Sequence, residues 1–367
     1  MTYKKFVLLA LFLPLPIIFA LGILLYIYDP LRLYHEPWLR KNTYYYNIRL
    51  QAKSIIDNND FDSIIMGTSM LENTSPKEAS EKLNSKYINL SISGSSLYQR
   101  YVILKYLFKN KKIKNVITSL DDFAIFKTKI NDTNHFDFLY DNNPYNDFKV
   151  YINKRFIICT LTYSSSRRCV GDKNSLEKLT NWSDEEKAKR LFGGINNWIK
   201  YYGGDVAVAI TEIMKYNDKT NIKINKKYDL KKEKEYIDKY LLQLAKQYKN
   251  TNFYYIISPY SRISYKIKNK NNFEKWKEII KYIINKNYPN VKVYGFDNLD
   301  YTDDIANYKD LTHYNINMNS IQLDAIKNNT HILTTENIDE YFKIMEEKIK
   351  SYDIKILQEQ IKKANLL

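Results

Sequence analysis

The 367-residue chain is 44% hydrophobic and 15% aromatic. That supplies a packed core for one large domain or two smaller ones and excludes global disorder. Its 57 Lys and Arg against 41 Asp and Glu give a net charge of +16. The lysines are spread along the whole chain, so the charge leaves a weak attraction to anionic surfaces and no nucleic-acid footprint.

In chain order, Lys4 and Lys5 precede an uncharged apolar run from Phe6 to Tyr28. As a helix that run would span about 34 Å, enough for a hydrocarbon core of about 30 Å. It is too long for a cleaved signal peptide and shows no cleavage box after Ala20 or Gly22. Residues 1–28 are therefore expected to be a cytoplasmic start and an uncleaved signal anchor, with residues 6–28 in the bilayer. The lysines place the following chain outside the cytoplasm, on the periplasmic or extracytoplasmic side. Residues 29–45, with Pro30 and Pro37, form a juxtamembrane connector. Residues 46–335 form the main domain, and a C-terminal helix occupies 336–367.

Within the main domain, Tyr46–Asn58 has helical periodicity. A strand–helix rhythm follows: strand 62–67, helix 76–83 capped by Ser75, strand 87–92, helix 96–109, strand 114–119. This βαβαβ alternation predicts a parallel sheet with helices on both faces. The rhythm then breaks for an insertion over 121–227, between the third and fourth strands. It holds helices near 183–198 and 206–216. An amphipathic helix over 228–248 leads to a fourth strand, 253–258, stopped by Pro259. A helix over 273–285 and a fifth strand at 291–294 follow. Helices near 317–327 and 336–364 close the chain.

The insertion holds both cysteines, Cys159 and Cys169. Outside the cytoplasm they are either a disulfide closing a short loop or two unpaired thiols; spacing alone does not decide. No cluster of His, Cys, Asp or Glu has metal-ligand spacing, and no cofactor motif is present. His35, His135 and His331 are isolated and read as structural or surface residues. Trp38, Trp182, Trp198 and Trp276 read as packing or interfacial residues rather than sugar platforms. Trp38 stands nearest the membrane.

Open parallel sheets bind ligands beyond the carboxyl ends of their strands. Three features stand at those ends here. The first strand ends in Gly67-Thr68-Ser69, the second in Ser91-Ile92-Ser93-Gly94, and the fifth is followed by Asp310-Leu311-Thr312-His313. A serine hydroxyl needs a base before it attacks. His313 can be that base near neutral pH, and Asp310, three residues earlier, can hold its tautomer. The backbone N–H groups of Ser69 and Gly94 would stabilise a developing oxyanion. The elbow of α/β-hydrolases is not matched, because Leu71 stands where Gly-x-Ser-x-Gly needs its second glycine.

These blocks resemble the SGNH, or GDSL-type, hydrolase superfamily over roughly Asp62 to Lys327, minus the insertion. Gly67-Thr68-Ser69 is similar to the block carrying the nucleophile, Gly94 to the block carrying an oxyanion donor, and Asp310-Leu311-Thr312-His313 to the block carrying Asp and His. The chain departs from the pattern in two places. Thr68 replaces an aspartate before the nucleophile. Ser119-Leu120-Asp121-Asp122 lacks the asparagine that supplies a third donor, and Asn73 is a candidate substitute.

The resemblance implies a three-layer α/β/α sandwich with a five-stranded parallel sheet. The layout looks most like the membrane-anchored proteins of teichoic-acid D-alanylation, with polysaccharide O-acylation proteins related in theme. It implies an acyltransferase or esterase acting on a cell-surface polysaccharide or teichoic-acid-like acceptor, beside a multi-span membrane acyltransferase. The alternative is a non-catalytic assembly or binding protein that keeps the fold and recruits such a partner.

Overall fold

A computed structural model describes residues 2–128, 136–177, 186–217, 228–268 and 270–364. Trp182, His135 and the start of the helix expected at 183 lie outside them. The chain divides into two compact units. One holds Met1–Asn59, Val102–Asn110 and Asn131–Lys178; the other holds Asp60–Tyr101, Lys111–Ile130 and Leu179–Leu367.

The first unit begins with the apolar helix. It runs Tyr3–Phe12 and Leu15–Tyr28, interrupted at Pro14, which has no N–H to continue the ladder. The span Tyr3–Tyr28 is 26 residues, and its most apolar 18-residue window has a mean hydropathy of 2.8, long and apolar enough for a membrane anchor or a signal sequence. Only its last turns are covered: Leu25 and Tyr28 are buried. Asp29 ends the helix at φ 33°, and its carboxylate then accepts the backbone N–H groups of Leu33, Tyr34 and His35 at 3.0, 2.8 and 3.1 Å. One side chain thus satisfies the donors of a tight reversal. Helix Ile48–Asn58 starts at Asn47, whose side chain caps Arg49 N. Helices Lys154–Leu161 and Arg167–Val170 are joined by a Cys159–Cys169 disulfide with Cα atoms 5.6 Å apart. Tyr28 packs into the cluster formed by that disulfide and Val170.

The second unit is mixed α/β around one sheet. Its strands are β1 (Ser63–Ile65), β2 (Tyr87–Asn89), β3 (Asn115–Leu120), β4 (Asn252–Ile257), β5 (Val291–Tyr294) and β6 (Ile332–Leu333). Their order is β2-β1-β3-β4-β5-β6. The first five are mutually parallel, as the βαβ spacing predicts; β6 is antiparallel to β5. The expected count of five strands is therefore corrected to six. A two-residue strand has no periodicity to read, and its direction is set by Asn329 and His331, both at positive φ (53° and 59°), which turn the chain back. All six residues of β3 are buried, so both faces of the central strand are covered.

Helix boundaries follow local chemistry. Ser75 caps helix Pro76–Leu83 by accepting from Glu78 N at 3.1 Å. Helix Pro76–Leu83 packs against helix Ile316–Asn328. The expected 336–364 helix is two helices, Ile338–Ser351 and Lys355–Lys363, separated where Tyr352 becomes extended. The amphipathic 228–248 segment is helical from Lys231 to Gln247, with a wider turn over Asp238–Leu242.

Candidate active site

The turn after β1 is held by the ends of its two neighbours. Gly67 N donates to Ser91 Oγ at 3.0 Å, beyond β2, and Thr68 N donates to Ser119 Oγ at 3.1 Å, within β3. A Cβ on Gly67 would stand 2.8 Å from both Leu71 Cδ1 and Ser119 Oγ, so the packing requires glycine at this point. The fixed turn presents Ser69 beyond the strand end.

The segment after β5 is fixed with equal care. Tyr308 pairs with Tyr314 in a short antiparallel bridge, and Lys309 N donates to His313 O at 3.0 Å. Ser261, past the end of β4, donates its hydroxyl to Leu311 O at 2.7 Å. Tyr314 and Asn319 both donate to Met70 O, at 2.8 and 3.0 Å. The His313 segment is thereby tied directly to the residue following Ser69.

These ties bring three side chains into line. His313 Nε2 lies 2.9 Å from Ser69 Oγ, and His313 Nδ1 lies 2.7 Å from Asp310 Oδ2. Asp310 Oδ1 accepts the backbone N–H groups of Thr312 and His313, both at 2.8 Å, and Lys309 Nζ stands 2.9 Å from Oδ2. Burial opposes the charge on Asp310. The hydrogen bond and charge of His313, and the charge of Lys309, outweigh it and hold the carboxyl well below the usual carboxylate range. Asp310 is therefore an acceptor at any neutral pH, so the neutral imidazole carries its proton on Nδ1 and presents Nε2 as an acceptor toward Ser69.

A cavity of about 700 Å³ opens over this line; Ser69, Gly94 and His313 are on its wall. Gly94 sits at φ 61° with open space at its Cβ position, so its backbone conformation rather than crowding favours glycine. Asn73 is 2% exposed and is not among the cavity-lining residues. Trp198 and Trp276 are buried, Trp198 donating Nε1–H to Tyr308 O at 3.1 Å, so both are core residues.

The third-block position, which lacks the expected asparagine, also lines the cavity, as do residues that the motifs did not single out, Tyr260 and Lys268. Asp121, at the end of β3, is fully covered and accepts the Ser119 hydroxyl at 2.5 Å, with Arg100 Nη2 3.9 Å away. Burial pushes the Asp121 carboxyl up and the Arg100 guanidinium down, each opposed by the charge of the other. Also on the cavity wall, Tyr260 donates to Asp122 Oδ1 at 3.0 Å, while Lys268 pairs with Asp122 Oδ2 at 2.8 Å and stacks on the Tyr260 ring. The position of Tyr260, just past the end of β4, is the one sequence cue that points to it. Among the described residues no His, Cys, Asp and Glu cluster could hold a metal ion.

No family model matches this chain, and no curated protein matches it. Among solved structures, one described as "a putative platelet activating factor" from Streptococcus pneumonia aligns at a TM-score of 0.37 and 11% identity. The alignment covers 77% of this chain and 90% of that one.

Proposed function

We propose that the chain is a membrane-anchored, extracytoplasmic serine acyltransferase or esterase of the SGNH type, acting on a cell-surface glycopolymer through Ser69, His313 and Asp310. The observation that carries this reading is the continuous hydrogen-bonded line from Ser69 Oγ through both ring nitrogens of His313 to Asp310, on the wall of a substrate-sized cavity. In this reading the sheet is the centre layer of an α/β/α sandwich. Helix Tyr3–Tyr28 is its anchor, with the N-terminus cytoplasmic.

The mechanism follows from the atoms. His313 Nε2 takes the Ser69 proton as Oγ attacks the acyl carbon, and Asp310 stabilises the imidazolium that forms. The oxyanion lies against the N–H groups of Ser69 and Gly94. Collapse expels the leaving group, which takes the proton from His313, and leaves an acyl-Ser69. An acceptor hydroxyl or water then gives its proton to His313 and attacks the ester, restoring Ser69. With two backbone donors and no asparagine in the third block, hydrolysis of a free ester would be slow. An acceptor polymer held beside the membrane at high effective concentration offsets that deficit, which favours transfer.

A serine-directed fluorophosphonate tests the reading. Full-length protein in detergent should acquire one covalent adduct on Ser69, and Ser69→Ala should lose both adduct and acyl transfer, the latter by ~10⁶. Complementation of the cellular phenotype by Ser69→Ala would overturn the enzymatic reading. It would leave the second one, a non-catalytic partner of a multi-span acyltransferase, which the acidic Asp121 in place of an asparagine favours.

A further inference from the structure

The first unit has a cavity of its own, about 500 Å³, in the segment that wraps the exit of the apolar helix. Tyr28, the last residue of that helix, donates its hydroxyl to Ser164 O at 2.5 Å and packs on Cys159 and Cys169. All three of those residues line the cavity. The wall is therefore one side chain away from the point where the helix ends.

Its chemistry has one sign. Arg155 and Arg168 line it, with the hydroxyl side chains of Thr162, Ser164 and Ser166, and no carboxylate does so among the described residues. Arg155 is held in place by the Tyr45 and Tyr46 hydroxyls, at 2.5 and 2.9 Å. Arg168 makes no ion pair among the described residues, and the disulfide pins the loop that carries it. Two guanidinium forks and neighbouring hydroxyls suit the oxygens of a phosphate. The apolar flank is unusual for a free-anion site. Ile158, on the cavity wall, is 49% exposed, and Leu161, on the same helix, is 64% exposed. Exposed aliphatic side chains beside paired arginines at the end of a membrane-length helix match a lipid, with its phosphate above and its acyl chains below.

We propose that this cavity binds the phosphate headgroup of an anionic phospholipid of the membrane that helix Tyr3–Tyr28 crosses. The proposal rests on the anchor reading and is independent of the serine chemistry. Bound lipid would fix the unit against the bilayer surface, adding a second attachment to the anchor.

The test uses full-length protein in nanodiscs of phosphatidylcholine, with or without about a quarter phosphatidylglycerol. Phosphatidylglycerol retained by the protein is measured by native mass spectrometry after release into detergent. Wild-type protein should retain it selectively, and Arg155→Gln with Arg168→Gln should weaken retention by roughly tenfold or more, as expected for losing charge-assisted hydrogen bonds. Arg168→Glu, at an exposed position with no ion pair among the described residues, gives the same readout with little risk to folding. Equal retention by wild type and both variants would overturn the proposal. So would competition by millimolar inorganic phosphate that removes all lipid selectivity, which would mark a free-phosphate site. Failure of the anchor reading is separate: it would appear as a chain released from membranes without detergent.

Discussion

The two cavities are assembled by opposite means. At the sheet edge, Ser69 and His313 are 244 positions apart in the chain and meet only because β1 and the segment after β5 end on the same edge. In the first unit, nearly all of the wall comes from one short stretch, 155–169, closed on itself by the Cys159–Cys169 disulfide. The first arrangement draws its accuracy from the register of a buried parallel sheet, where every neighbour constrains every other. The second draws it from one covalent bond and a few hydroxyl contacts. Damage should therefore look different in each: loss of chemistry without loss of fold in one, loss of local order without loss of chemistry in the other.

Beyond Ser69→Ala, the largest expected effect at the sheet edge is that of Asp310→Asn. The asparagine oxygen can still accept the N–H groups of Thr312 and His313, so the turn should persist. Its NH₂, however, faces a His313 Nδ1–H that needs an acceptor, which drives the ring to the wrong tautomer. Acyl transfer should fall by about 10⁴ with the melting temperature little changed. A variant that keeps full activity would break the assignment of Asp310.

The contrasting change is Cys159→Ala with Cys169→Ala. Opening a loop of this length should cost about 3 kcal/mol of stability in the first unit, and it should reduce phosphatidylglycerol retention. Fluorophosphonate labelling of Ser69 should stay near wild-type. Loss of labelling would show that the two cavities depend on a common structure, and the comparison would fail.

A smaller effect should distinguish the sheet unit by pH. Asp297 is fully buried, and burial pushes its carboxyl up to about 6, although the hydroxyls of Tyr265 and Tyr341 donate to it at 2.6 and 2.9 Å. Because the folded carboxyl binds its proton more tightly than the unfolded one, it stabilises the fold most below pH 4. That contribution is lost as pH rises through about 6, on the order of 2–3 kcal/mol. Thermal melts of wild type and Asp297→Asn should therefore converge or cross between pH 4 and 7. A constant difference across that window would refute the shift.

Much of the sheet unit was legible because its elements advertise themselves. β1 and β3 are buried runs and β4 is a largely buried aromatic and aliphatic one, bounded by Gly67, by Asp121 and Asp122, and by Pro259. Ser75 before Pro76 is a helix start that any register would read. The antiparallel β6 was illegible, since two residues carry no period and the reversal depends on left-handed conformations at Asn329 and His331. The break at Tyr352 was hidden for a similar reason: the apolar stripe continues through it, and only packing decides that the chain turns there.

The candidate site divides along the same line. The sequence by itself determined the residue types and their local geometry. Asp310 and His313 are three residues apart, so one tight turn suffices to join them, and Gly67 and Gly94 mark backbone turns wherever their strands lie. Only the tertiary structure decided that Ser69 Oγ comes within 2.9 Å of His313 Nε2, that Asp121 is sealed beside Arg100, and that Asn73 is turned into the interior. It also joined Cys159 to Cys169, where spacing had left two outcomes open. The physical reason is one of range. Turn and cap preferences are set by a residue and its nearest neighbours, whereas a distance across the sheet edge depends on the strand order and on side-chain packing between segments far apart in the chain.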